Sequence, residues 1–141
     1  MKYPLRILAV DYGQKRIGIA VSDPLGFTAQ GLPTIPNLNK RQVMAALLKV
    51  CKDHEVSEVV IGLPVNMNGS LGPKAKEVTD LVPVMEQGLG LPISTWDERL
   101  TSRTADRLMI EGGLSRKRRK EASDRMAATL ILQMFLESRR K

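Results

Sequence analysis

Four carboxylates sit in otherwise apolar surroundings. Asp11 closes the run Leu5–Val10, Asp97 and Glu98 follow Pro92–Trp96, and Asp124 lies one turn ahead of Ala128, Ile131 and Phe135. At about 100° per residue, Asp124 and those three residues fall within about 60° of one another on a helix, on one inward-facing stripe. A charged carboxylate left unpaired there costs on the order of several kcal/mol, so a cation is expected to compensate it. Carboxylates without accompanying His or Cys make an all-oxygen site, suited to Mg²⁺ or Mn²⁺. Each acid also has a structural reading. Asp11 could close a hairpin through side-chain to backbone bonds. Asp97 or Glu98 could open the next helix, and Asp124 with Ser123 could cap one.

Positive charge is concentrated where an anion could use it. Twenty-two Lys and Arg face fifteen Asp and Glu, a net charge of +7. Arg116, Lys117, Arg118, Arg119 and Lys120 form one cluster, and Arg139, Arg140 and Lys141 form another. Without those eight, fourteen bases face fifteen acids, so the excess is local and fits a polyanion such as nucleic acid. The 116–120 run directly precedes the Asp124 helix, which favours phosphate binding over an ordinary solvated face. Gly13 would let backbone approach a phosphate, with Lys15 or Arg16 beside it; a plain turn explains Gly13 equally well. Asn66, Asn68 and Gly69 make a polar loop that suits either substrate contact or turn chemistry. Arg99, next to the acids, joins this set of candidate substrate-binding residues.

The elements that must position these residues follow from periodicity. Leu5–Val10 reads as a central strand. Ile17, Ile19 and Val21 alternate with small residues as a second strand, and Phe27 to Ile35 is a weaker third, with Gly31 and Pro33 inside it. Val43, Leu47, Leu48 and Cys51 have helical spacing over about 40–54. Val59–Ile61 is a buried strand ended by Gly62-Leu63-Pro64. Gly72-Pro73 opens a helix carrying Val78, Leu81, Val82 and Met85, which Pro83 should kink or end. Pro92–Trp96 is the last strand. Thr101–Glu111 is helical up to Gly112-Gly113, and a final helix runs from about 117 to 138. The order βββαβαβαα predicts an α/β fold. Its five-stranded mixed sheet is an antiparallel three-strand meander plus two strands added through helical crossovers.

Length fits one domain over 1–141. Cys51 has no disulfide partner, and with His54 alone there is no zinc set; Cys51 is expected in the core and His54 on the surface. No phosphate-binding G-x-x-x-x-G-K-[S/T] loop and no G-x-S-x-G elbow occurs in the sequence. No apolar stretch approaches membrane-spanning length and no leader pattern is present, so no membrane partner and a cytoplasmic location are expected.

Four ordered blocks carry a resemblance. They are Val10–Asp23 (VDYGQKRIGIAVSD), Val60–Gly69 (VIGLPVNMNG), Trp96–Ser102 (WDERLTS) and Asp124–Gln133 (DRMAATLILQ). Together they resemble the YqgF/RuvX family of RNase H-like nucleases across essentially the whole chain. The resemblance implies an RNase H-like fold and a metal-dependent phosphodiesterase. Its acidic ligands map to Asp11, Glu98 and Asp124, with Asp97 as a further candidate. It also implies maturation of the 5′ end of pre-16S ribosomal RNA, with ribosomal particles as a candidate partner, or resolution of branched DNA as in RuvC. Resolvases of the RuvC type carry a Glu just after the fourth strand, where this chain has Gly62-Leu63-Pro64. The second carboxylate then falls to Asp97-Glu98.

Two divalent ions about 4 Å apart would offset the repulsion between a phosphodiester and hydroxide. Asp11, central in the sheet, is the expected bridge, with Glu98 and Asp124 each on one ion. Two other classes compete. Actin-like kinases share the Asp-x-Gly opening, but 141 residues supply one lobe and no interlobe cleft. A non-catalytic RNA-binding assembly factor would use the basic cluster, yet only five aromatics are available for base stacking, and the inward carboxylates go unexplained. A resolvase must cut two strands and so needs a homodimer, whereas an RNA-processing enzyme can be a monomer.

Overall fold

The computed structural model describes residues 6–99 and 116–139, with side chains in the second stretch from Met126 onward. Along these residues run β1 (Arg6–Tyr12), β2 (Arg16–Ser22), β3 (Ala29–Pro36), α1 (Lys40–Asp53), β4 (Val56–Leu63), α2 (Pro73–Leu89), β5 (Ile93–Asp97) and α3 (Arg116–Arg139). The expected helix over 101–111 and its Gly112-Gly113 stop lie outside the described residues.

The strands form one sheet in the order β3-β2-β1-β4-β5. β1, β2 and β3 pair antiparallel, while β4 runs parallel to β1, and β5 parallel to β4. The mixed sheet expected from the element order is therefore present. Ile7, Leu8, Ala9 and Val10 are all buried because β1 is central and covered on both faces. Period-2 alternation then sorts the side chains. Leu8, Val10 and Tyr12 pack with Val59 and Ile61 against Val43 and Leu47 of α1 and Val78 and Met85 of α2. Ile7, Ala9, Ala20 and Val60 face Ala128, Ile131, Leu132 and Phe135 of α3. Burying each such branched side chain stabilises the fold by roughly 1.5–3 kcal/mol before entropy is counted.

Several boundaries differ from expectation: β4 runs from Val56 through Gly62 to Leu63 instead of ending before Gly62, and two other differences have a local cause. β3 starts at Ala29 rather than Phe27, because the Asp23 carboxylate accepts hydrogen bonds from the backbone N–H groups of Leu25, Phe27 and Thr28. That bonding closes a turn and takes Phe27 and Thr28 out of the strand. Pro83 does not end α2, which continues to Leu89 and stops at Gly90, left-handed with φ 68°. Pro83 lies on the outer side, while Ala75, Val78, Leu81, Met85 and Leu89 form one buried stripe spanning both halves. Packing along that stripe outweighs the one missing backbone bond. No helix among the described residues is long and apolar enough to cross a membrane.

Candidate active site

Because β1, β4 and β5 are mutually parallel, their C-terminal ends meet at one end of the sheet. Asp11 has the parity of Ile7 and Ala9 and therefore lies on the α3 face. Gly62 has the parity of Val60, and Glu98 that of Trp96, whose ring meets Phe135 of α3 edge-on at 6.0 Å. The backbone N–H of Glu98 donates to Leu63 O at 3.1 Å, extending the β4–β5 ladder by one residue. One sheet face thus collects Asp11, Gly62 and Glu98.

The Glu98 carboxyl lies directly over Gly62. A Cβ on Gly62 would stand 2.6 Å from Glu98 Oε1 and 2.8 Å from its Cγ, closer than real side chains approach. The bare backbone of β4 is the seat of the carboxyl group. From there Glu98 hydrogen-bonds the Asp11 side chain, and its pKa is pushed up to about 8. Burial is the main cause, followed by the negative charge of Asp11 and their hydrogen bond; Lys74 opposes the shift and Asp97 adds to it. Two carboxylates this close share a proton unless a cation allows both to ionise.

Asp97 and Glu98 are neighbours in sequence but leave the chain in opposite directions. The exposed Asp97 carboxylate binds Arg99, whose Nη2 lies 2.6 Å and Nε 2.9 Å from Asp97 Oδ2. That ion pair holds the Asp97 carboxyl below the usual carboxylate range. The structure brings Glu98, and not Asp97, onto Asp11. Asp124 falls within α3, one turn before the buried Ala128, but its side chain lies outside the described residues. The side chains of Arg116, Lys117, Arg118, Arg119 and Lys120, in the first turns of α3, do too. No group of three possible metal-ligating residues occurs among the described residues.

The remaining candidates surround this end of the sheet. A Cβ on Gly13 would meet Arg16 O at 2.3 Å, so glycine is required by the turn between β1 and β2. Asn37 fixes that turn from the side, donating from Nδ2 to Gly13 O at 2.8 Å and from its backbone N–H to Lys15 O at 2.9 Å. Lys15 and Arg16 are exposed on it. Asn66 and Asn68 spend their side chains within their own loop. Asn66 Nδ2 donates to Ser70 Oγ at 3.1 Å, and Asn68 Oδ1 accepts from the Ser70 N–H at 3.0 Å. Arg99 ties the loop to β5 through Nη1 to Met67 O at 3.3 Å. Cys51 is buried, and burial pushes its thiol up to about 11, which leaves no thiolate chemistry. His54 is half-buried, rather than on the surface as expected.

Two residues of the site escape the motif reading. Gly62 is signalled by its place in an otherwise branched strand, where glycine marks close approach of another group. Lys74 is signalled by a basic residue in the first turn of α2, at the end of a helix that prefers acids. Its Nζ is buried, has no hydrogen-bond partner among the described residues, and lies 5.4 Å from the Tyr12 ring centroid.

Comparison with known proteins identifies the family of the chain. The family model RuvX, described as Holliday junction resolvase, matches residues 5–138. A protein of Clostridium acetobutylicum named "Putative pre-16S rRNA nuclease" is 49% identical over 134 residues, covering 95% of this chain and 99% of its own. One of the same name from Syntrophomonas wolfei is 45% identical, with 94% of each chain covered. RuvC of T. thermophilus, solved in complex with a Holliday junction substrate, superimposes with a TM-score of 0.61 over 96% of both chains at 20% identity, which shows the shared RNase H-like fold. The match along nearly all of its length shows that the chain belongs to the RuvX family.

Proposed function

We propose that this chain is a divalent-metal-dependent endonuclease that processes the 5′ end of pre-16S ribosomal RNA in the cytoplasm. The observation that carries the reading is the half-buried Asp11–Glu98 pair, in which the Glu98 carboxyl is seated over Gly62 and hydrogen-bonded to Asp11. Such a pair has little value to the fold, since carboxylates repel, and it becomes useful when a cation holds it. The names of the 45–49% identical relatives supply the substrate.

The donor set fits Mg²⁺ or Mn²⁺, because the groups brought together are carboxylate oxygens with no nitrogen or sulfur ligand among them. Asp11 and Glu98, with Asp124 of α3, would hold one such ion or two. Bound there, the metal would polarise the phosphate and lower the pKa of the attacking water. The chain itself fixes the geometry: the sheet sets Asp11, Gly62 seats Glu98, and α3 carries Asp124. In hydrolysis the water oxygen forms a bond to phosphorus as the bond from phosphorus to the 3′ oxygen breaks. One proton of the water is lost, and the 3′ oxygen takes one up, leaving a 5′ phosphate and a 3′ hydroxyl.

Resolution of branched DNA is the second reading, favoured by the description of the family model. One experiment separates the two. A pre-16S leader transcript and a four-way DNA junction are incubated with the protein in Mn²⁺, in Mg²⁺ and in EDTA. Asp11→Asn serves as the control, and the mass of each complex is measured in solution. RNA cleavage that stops in EDTA and in Asp11→Asn, by a monomer or a dimer, supports the proposal. Symmetric cutting of the junction by a dimer, with the RNA intact, replaces it. Equal cleavage in EDTA overturns the metal mechanism.

A further inference from the structure

We propose that Lys74 is a catalytic residue of the nuclease, whose ammonium donates to a non-bridging oxygen of the phosphate undergoing cleavage. The inference rests on the nuclease reading above and adds a cation supplied by the chain itself. Lys74 Nζ is withdrawn from solvent and has no hydrogen-bond acceptor among the described residues. An ammonium carries three donors, and burying it without acceptors is costly unless a ligand supplies them.

Its surroundings narrow the ligand. One side of the ammonium is taken by the face of Tyr12, 5.4 Å to the ring centroid, which attracts a cation but accepts no conventional hydrogen bond. Tyr12 follows Asp11 in β1 and points to the opposite, α1–α2 face, so this contact holds Lys74 at the same end of the sheet as the acids, approaching from the α2 side. The positive charge of Lys74 acts on Glu98, which places it within electrostatic reach of the carboxylate pair. A group that approaches Asp11 and Glu98 while accepting hydrogen bonds from a cation is an oxyanion. In a phosphodiesterase that oxyanion is the scissile phosphate.

Local structure supports a role outside folding. Lys74 is the second residue of α2, no side chain caps that helix end, and no acidic residue stands in its first turn. A lysine there opposes the helix dipole, so helix stability does not account for it. Charge developing on the phosphate in the transition state would be met by a donor already fixed in place, which costs no reorganisation as the reaction proceeds.

The test uses Lys74→Met, which keeps the apolar stem against Tyr12, and Lys74→Arg, which keeps the charge. Lys74→Gln replaces the Met variant if that one does not fold. Single-turnover cleavage of the pre-16S leader transcript is followed in Mn²⁺. RNA affinity is measured in Ca²⁺, and both phosphorothioate diastereomers are placed at the linkage that the wild type cuts. Lys74→Met is expected to cut about a hundredfold more slowly with RNA affinity nearly unchanged, as for loss of one oxyanion donor. Lys74→Arg should retain most of the rate. One diastereomer should slow the wild type and have a clearly smaller effect on Lys74→Met, because the hydrogen bond to that oxygen is already gone. Cleavage by Lys74→Met at the wild-type rate overturns the proposal, as does an unchanged phosphorothioate effect in a slowed variant. A wild-type protein that leaves the RNA intact overturns the nuclease reading and this role with it.

Discussion

Gly62 and Glu98 share one space: the volume a side chain on β4 would fill is occupied by a carboxyl group arriving from the end of β5. A Cβ at residue 62 would overlap the Glu98 side chain from Cγ to Oε1, at 2.8 to 2.6 Å. Residue 62 of β4 is glycine, and the neighbouring strand β5 delivers the acid to that end of the sheet.

Gly62→Ala is therefore expected to displace Glu98 without unfolding the chain. The conflicting atoms belong to one side chain at the open end of the sheet, and that side chain can swing away. Cleavage should fall about a hundredfold or more, and Mn²⁺ affinity with it, because site geometry tolerates little misplacement. Thermal unfolding should shift by only a few degrees. Full activity in Gly62→Ala would show that Glu98 is not needed where the structure puts it.

The pH dependence of stability gives a second prediction, for metal-free protein. Folding raises Glu98 from an ordinary value of 4.5 to about 8. Between those values the folded chain binds more protons than the unfolded chain, so stability falls as pH rises. The advantage of the protonated pair is full below the unfolded value and is lost as pH rises through about 8. Melting temperatures from about pH 5 to about pH 9 should show a decline in the wild type that Glu98→Gln flattens. Saturating Mn²⁺ should flatten it as well, because the cation replaces the shared proton. Parallel curves for wild type and Glu98→Gln would mean that Glu98 titrates normally.

How far the sequence carried this reading depends on the range of each interaction. The sheet was legible because β1, β2 and β4 are short apolar runs bounded by turns, and parallel addition of β4 and β5 follows from the intervening helices. Asp11 and Glu98 were legible as acids at the ends of apolar runs, one in the central β1 and one just after the edge strand β5. Their hydrogen bond was not, since it depends on how closely β1, β4 and β5 are packed. Gly62 read as a strand terminator, because a missing side chain gives no hint of which group fills its place. Pro83 misled, since local propensity predicts a break where a buried stripe on both sides keeps α2 continuous. Lys74 was missed because its environment is made by Tyr12 and Glu98, distant in sequence.

Asp97 gives a third prediction, since its side chain is committed to Arg99 and, through Arg99, to the 66–70 loop. Asp97→Asn should leave Mn²⁺ affinity close to that of the wild type, while Glu98→Gln should lose at least about tenfold. Releasing Arg99 should instead loosen the loop and weaken RNA binding. Isothermal titration with Mn²⁺ separates the two acids directly. Equal losses in both variants would make Asp97 a metal ligand as well.

The last prediction concerns Arg116, Lys117, Arg118, Arg119 and Lys120, which form the first turns of α3. Five cations at the positive end of a helix dipole, with no acid in the first turn, oppose local stability, so their value lies in what they bind. Lys120 precedes Asp124 by one turn, about 6 Å along the axis, which puts the run beside the proposed metal ligands. Replacing all five with Ser or Gln should weaken RNA binding. Each phosphate that is no longer neutralised should reduce the slope of log affinity against log salt by about 0.7 to 0.9. The effect should be nearly independent of RNA sequence, because cations on the phosphates position a nucleic acid without reading its bases. At saturating RNA the cleavage rate should return to within roughly tenfold of wild type, since the carboxylates and Lys74 remain in place. An unchanged salt slope would make the run an ordinary solvated surface. A rate that stays low at saturation would mean that these residues help to build the active site itself.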